Sequence, residues 1–137
     1  MISRRTLLTF SGAALAACAA PFRLAAASTA DATAKALGTS NVIYITPLKN
    51  GGAESTCHAE VWFVYQNGAI YVVTSSDAWR ARAVGLGFNQ ARMWVGEFGT
   101  WKSAKEAYRK APELNATASL IDDVASHAQV LDVFGKK

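Results

Sequence analysis

His58 and Glu60 stand two residues apart in a run rich in β-branched and aromatic residues, so a strand there puts an imidazole and a carboxylate on one face. An imidazole titrates near neutrality, and such a pair could bind a small substrate or shuttle a proton. The plainer account of His58 is a strand-end ring bonded to a neighbour or to water. Cys57 beside it makes no metal site, because adjacent strand residues point apart and no second Cys-His cluster accompanies them. Trp62, Trp79, Trp94 and Trp101 would suit a flat aromatic ligand, but Trp also serves core and dimer packing through its large area and single polar handle. His127, on the polar side of a C-terminal helix, reads as a surface residue.

The other chemistry-bearing residues lie at the start. Ser3-Arg4-Arg5-Thr6-Leu7-Leu8 leads into an uncharged segment from Thr6 to Ala20, rich in Ala and Leu. A charged start, a short apolar middle and small residues after it make residues 1–30 an export signal, too short in its apolar part to span a bilayer stably. Arg4-Arg5 followed by Thr-Leu-Leu resembles the twin-arginine signal, an address read by the export machinery rather than an anchor. That resemblance implies export of an already folded protein, to the periplasm or the extracellular space, and folding before export is commonly tied to cofactor insertion. The alternative is a charged start for the ordinary secretory route. Two cuts are on offer: after Ala25-Ala26-Ala27, releasing a soluble form, or before Cys18 in the lipobox-like Leu15-Ala16-Ala17-Cys18, where a lipid would tether the protein to a membrane surface.

Loss of the signal changes the charge. The full chain of 137 residues holds 14 Lys and Arg against 10 Asp and Glu, but Arg4, Arg5 and Arg23 leave with residues 1–30, so 11 basic residues face 10 acidic ones. A near-neutral domain lacks the basic footprint of a nucleic-acid binder. Only Cys57 remains, and one cysteine closes no internal disulfide. A domain of roughly 105 residues carries one core and leaves much surface for a partner to cover.

These residues must be positioned by elements whose patterns are readable. Ser28 to Leu37 predicts a short helix stopped by Gly38. Val42 to Thr46, limited by Pro47, predicts a first strand, Ser55 to Gln66 a second and Ala69 to Ser75 a third, with Asn67-Gly68 as a tight hairpin turn between the last two. In the second strand, Thr56, His58, Glu60, Trp62 and Val64 share one face, and Cys57, Ala59, Val61, Phe63 and Tyr65 the other. Asp77 should cap a helix through Val84 that Gly85 and Gly87 end. A strand follows over Gln90 to Phe98, with Ala91, Met93 and Val95 on one face, then a helix over Trp101 to Ala111 closed by Pro112. Leu114, Ala116, Ala118 and Leu120 alternate with polar residues as in a fifth strand, and Asp122 or Asp123 opens a last helix through Phe134. The fold class is α+β, mainly β: a single domain over residues 31–137, built as a small antiparallel sheet with a few short helices.

Between Val61 and Val84 the order is strand with Val-Trp-Phe, hairpin, strand ending in Thr, and a short helix with spaced basic residues. That order resembles the split-barrel flavin-binding family of pyridoxamine 5'-phosphate oxidase relatives, including its deazaflavin-using nitroreductase branch. The likeness covers roughly Val42 to Val95, and Val133-Phe134-Gly135-Lys136-Lys137 looks like the start of the family's C-terminal segment, which commonly continues into an aromatic-containing tail. The resemblance implies a split β-barrel homodimer with FMN or a deazaflavin at the subunit interface, acting as an oxidoreductase on a small-molecule substrate. It implies that Thr74, Ser75, Ser76, Arg80 and Arg82 hold the cofactor phosphate, which needs several donors in fixed geometry and suits an Arg fork. The amino end of the helix after Asp77 would add backbone donors. Arg80 and Arg82 lie two apart on a helix and face different ways, so one of them, Arg80 by preference, points inward. His58 and Glu60 would then serve the substrate, although the family often has Pro where this chain has Glu60.

Two other readings stay open: a non-catalytic split-barrel module for a small ligand or a protein, and an unrelated small antiparallel barrel with a lipid-anchored N-terminus. Mass spectrometry of the exported protein separates the two cuts, with a free N-terminus at Ser28 expected for the first and a lipid-bearing Cys18 for the second.

Overall fold

The structure is a computed structural model that describes residues 5–12 and 23–137. Six antiparallel strands close into a barrel, with four short helices around it. Five strands were legible from the pattern: β2 (Val42–Pro47), β3 (Ala59–Gln66), β4 (Ala69–Ser75), β5 (Gln90–Val95) and β6 (Glu113–Ile121). The sixth, β1 (Arg5–Gly12), comes from the segment assigned to the export signal. No strand was expected there, because a run of Leu, Thr and Phe satisfies the apolar part of a signal and a buried strand equally well. Arg4 and the lipobox-like stretch ending at Cys18 lie outside the described residues.

Strand order around the barrel is β1-β4-β3-β2-β5-β6, with β6 returning to β1. Residues 5–11 run against β4, and residues 7–12 run against residues 116–121 of β6. Without β1 those two strands would each present a row of unpaired backbone groups. The interior is filled by alternate positions: Leu8 and Phe10 of β1, Ile43 and Ile45 of β2, Phe63 of β3, Ile70 and Val72 of β4, Ala91, Met93 and Val95 of β5, and Ala116 and Ala118 of β6. The small residues of β6 sit where the large side chains of its neighbours need space. Ala59, Val61 and Phe63, expected on one face of the second strand, turn inward together while Trp62 points to solvent, but at the strand's end Val64 is buried and Tyr65 exposed.

Local chemistry explains the boundaries. The hairpin of β3 and β4 turns on Asn67 and Gly68, both at positive φ (52° and 77°), the pair of left-handed residues that a type I′ turn needs. Helix α1 (Arg23–Thr39) is longer than expected at both ends, and the position drawn for the end of the signal falls inside it. Gly38 does not stop it, because the Thr39 hydroxyl bonds back to the Lys35 carbonyl and the Ser40 N–H to the Ala36 carbonyl. The second strand begins later than expected. The chain first turns at Lys49 to Gly52, bridges Leu48 to Glu54, and enters β3 only at Ala59. Helix α2 (Trp79–Gly85) is capped by Ala78 rather than Asp77, since the Ala78 N–H is taken by the Ser75 carbonyl in a turn that delays the helix.

A second cluster lies on the outer face. Tyr44 and Trp94 are register partners on β2 and β5, and Tyr108 stacks on Tyr44 with ring centroids 4.7 Å apart. The helix expected over Trp101 to Ala111 is broken here into α3 (Trp101–Ala104) and a 3-10 turn over Ala107–Lys110, with Lys105 between them at φ 50°. Tyr108 against Tyr44 and Arg109 on Glu54 outweigh the helical preference of the run. The last helix, α4 (Val124–Gly135), opens as expected at Asp123, whose carboxylate accepts the Ser126 N–H at 2.7 Å.

Phe10, only 2% exposed, tests whether β1 belongs to the folded barrel. Phe10→Ala in the full-length chain should cost about 3–5 kcal/mol of stability by urea denaturation, whereas a chain whose β1 stays outside the barrel would show no loss.

Candidate functional site

Where β4 meets α2, the structure brings two of the five expected phosphate-site residues together. Thr74 continues the inward row of Ile70 and Val72, and it is buried at 7% exposure. The Arg80 side chain folds back under α2, and its Nη1 donates to Thr74 Oγ1 at 2.6 Å. Its Nε is the buried side-chain polar atom among the described residues that has no hydrogen-bond partner. A buried guanidinium N–H without an acceptor is costly, and it marks a place where an acceptor would be favourable. The hollow beside it is about 10 Å³, room for one water at most. Leu8 and Phe10 of β1 and Ile45 and Pro47 of β2 form part of its wall.

The other three residues are disposed differently. Ser75 is exposed at the end of β4, and its Oγ accepts the Asp77 N–H at 3.4 Å. Ser76 is half-buried in the turn that follows. Arg82 is exposed on α2 while Arg80 is turned inward, as the helical spacing required. With seven residues and no side-chain cap on its N-cap Ala78, α2 supplies less than the backbone anion site expected of its amino end. What remains is a guanidinium and a hydroxyl in fixed geometry, a donor set that suits a single anionic oxygen group.

His58 and Glu60 are not part of this arrangement. His58 Nδ1 lies 2.7 Å from Thr46 Oγ1, and the imidazole tilts against Trp101 with centroids 5.8 Å apart. Glu60 Oε2 accepts the Trp101 N–H at 3.0 Å. Both residues hold the start of α3 to the outer face of the wall whose inner residues, Ile45 and Pro47, border Arg80. Nearby, the Tyr44 hydroxyl donates to the Gly99 carbonyl at 2.6 Å and receives the Phe98 N–H at 2.8 Å. Burial raises the Tyr44 pKa, so the phenol keeps its proton and both bonds.

Of the four tryptophans, Trp94 is buried and Trp62 is 75% exposed, with Trp79 also open to solvent. No described tryptophan lines the hollow at Arg80. A larger hollow, about 400 Å³, is an open polar groove elsewhere, between β1, β4 and α4, where Thr9, Tyr71, Asp122, Asp123, Ser126 and Gln129 line it. Among the described residues, no three His, Cys, Asp or Glu side chains gather to hold a metal ion.

Sequence reasoning missed the Glu54 cluster. Arg109 donates to both oxygens of Glu54 at 3.0 and 2.8 Å, Arg92 adds a third bond at 3.0 Å, and the Arg109 guanidinium lies 4.8 Å from the Trp94 ring centre. The partners are 38 and 55 residues away, beyond any local pattern. This cluster pins the 3-10 turn to the hairpin of Glu54, and its charges are satisfied internally. No family model, no curated protein and no solved structure matches the chain.

Arg109, through its hydrogen bonds, holds the Glu54 carboxyl below the usual carboxylate range. A depressed folded-state pKa contributes stability above the unfolded value, about 4.3, and that stability is lost as pH falls through the folded value. Urea midpoints measured from pH 6 down to pH 3 should therefore fall more steeply for the wild type than for Glu54→Gln.

Proposed function

We propose that this chain is an exported split-barrel protein that binds a phosphate-bearing flavin, FMN or a deazaflavin, and serves as an oxidoreductase on a small molecule. The observation that carries this reading is the Arg80 side chain, bonded to buried Thr74 on one side and left with an unanswered Nε–H on the other. A phosphate oxygen would satisfy that N–H, and the Thr74 hydroxyl would hold the guanidinium plane in place while it does so. The Ser75 hydroxyl, exposed at the strand end, is a further donor on the same turn.

The chemistry of hydride transfer belongs to the cofactor, and the residues of this chain bind and orient it. A hollow of about 10 Å³ admits no flavin ring, which supports a ring held outside the barrel, between two copies of the chain. Exposed apolar side chains, Trp62, Trp79, Leu86 and Phe88, offer the surface that such a dimer would cover. The export route is the twin-arginine machinery, which leaves the protein in the periplasm or outside the cell, with membrane attachment only through a lipid on Cys18.

A specific observation favours the second reading, a binding module without catalysis. His58 and Glu60 are committed to Thr46 and Trp101 across the barrel wall from Arg80, so the site holds a phosphate donor set without an acid–base pair beside it.

Fluorescence titration of the exported, processed protein with FMN and with riboflavin tests the phosphate anchor. Arg80→Met should weaken FMN binding at least tenfold, a change of about 1.4 kcal/mol, and leave riboflavin, which has no phosphate, unchanged. Failure of the protein to bind FMN or a deazaflavin would end the cofactor reading. Turnover of bound flavin by an added reductant and acceptor separates the oxidoreductase from the module.

A further inference from the structure

The segment that reads as an export address is also the strand that closes the barrel over Arg80. Register pairs Thr6 with Thr74 and Arg5 with Ser75, so Arg5 stands opposite the end of β4 where the phosphate donors begin. Cross-strand partners share a face. Leu8 and Phe10 therefore share the inward row of their partners Val72 and Ile70. Leu8 and Phe10 are wall residues of the hollow at Arg80, and with them in place the hollow is too small for anything but water.

A ligand that reaches Arg80 Nε must move part of that wall. β2, β5 and β6 contribute Ile45, Ala91 and Ala118 to it, and none of these strands lies in the leader. β1 alone is drawn from a segment with a second task, since an address must leave the barrel to be read by a receptor. We infer that Arg5–Gly12 is an intramolecular plug of the Arg80 site, so that docking of the leader strand and binding of a phosphate monoester exclude one another. This inference rests on the leader and phosphate-site readings above. An unloaded precursor keeps its leader paired with β4 and β6. A loaded one releases the strand and presents the arginine pair, which makes export conditional on loading. Exclusion is reciprocal, and the ligand frees the strand by as much as the strand weakens the ligand.

The test uses the full-length chain with Cys18→Ala and Cys57→Ala, carrying Thr9→Cys and Tyr71→Cys. Thr9 and Tyr71 are register partners that line the outer groove, away from the hollow, so a disulfide between them locks β1 in without touching the site. FMN and inorganic phosphate are the probes. The oxidised, locked chain should bind them at least tenfold more weakly than the reduced chain, with affinity restored on reduction. In the reduced chain, either probe should speed hydrogen exchange of the Arg5–Gly12 amides at least tenfold while β2 and β5 stay protected. Equal affinity in the two redox states, or unchanged exchange of Arg5–Gly12 with ligand bound, overturns the plug. If inorganic phosphate frees the strand and FMN does not bind, the plug stands and the flavin reading falls. If FMN binds the locked chain as well as the reduced one, the flavin reading stands and the plug falls. If neither probe binds either form, both fall.

Discussion

Closure of the hydrogen-bond ladder by β1 is the constraint from which the rest of the structure follows. β4 and β6 are neighbours only through it, and it supplies donors and acceptors to both. Leu8 and Phe10 then complete an interior in which every other strand already contributes its alternate residues. The closed interior gives Thr74 a buried place at one end, and α2 lays Arg80 across that end. Take the ladder apart at β1, and two strand edges, the middle of the core and the wall of the Arg80 hollow are lost together.

The opposite face of the barrel is fixed by different means. Tyr44 and Trp94 form an aromatic platform that Tyr108 covers, and Arg109 spans from the Trp94 ring to the Glu54 carboxylate. These contacts hold the segment between β5 and β6 without any long regular helix. His58 and Glu60 belong to this side, where they fasten α3 through Thr46 and Trp101. The barrel wall separates that structural work from the donors at Arg80.

Much of the fold was legible because its local chemistry is strict. Asn67-Gly68 admits few alternatives between two β-branched runs, and the alternation of Leu114, Ala116, Ala118 and Leu120 has the period of a half-buried strand. Asp122 or Asp123 announced the last helix, and of the two it is Asp123 that caps it through the Ser126 N–H. What was missed depends on partners distant in the chain. Lys105 takes a positive φ where the chain must turn to place Tyr108 and Arg109, and no nearby residue signals it. At the candidate site, helical spacing sufficed to turn Arg80 and Arg82 in opposite directions. Whether His58 faced Arg80 or Trp101 required the barrel to be closed and α3 to be placed.

Residues 5–12 carry two readings for a deeper reason. A signal and a buried strand ask for the same residue types: Leu7-Leu8-Thr9-Phe10 is apolar enough for one and β-prone enough for the other. Composition therefore does not choose between them, and in the closed barrel residues 5–12 form a strand along the edges of β4 and β6. Those edges gain two ladders and two core side chains when the segment docks, and anything that withdraws the segment must overcome that gain. The docking of β1 is thus a single equilibrium on which two edges and part of the core depend together, and any occupant of a site that the strand walls off would bias it.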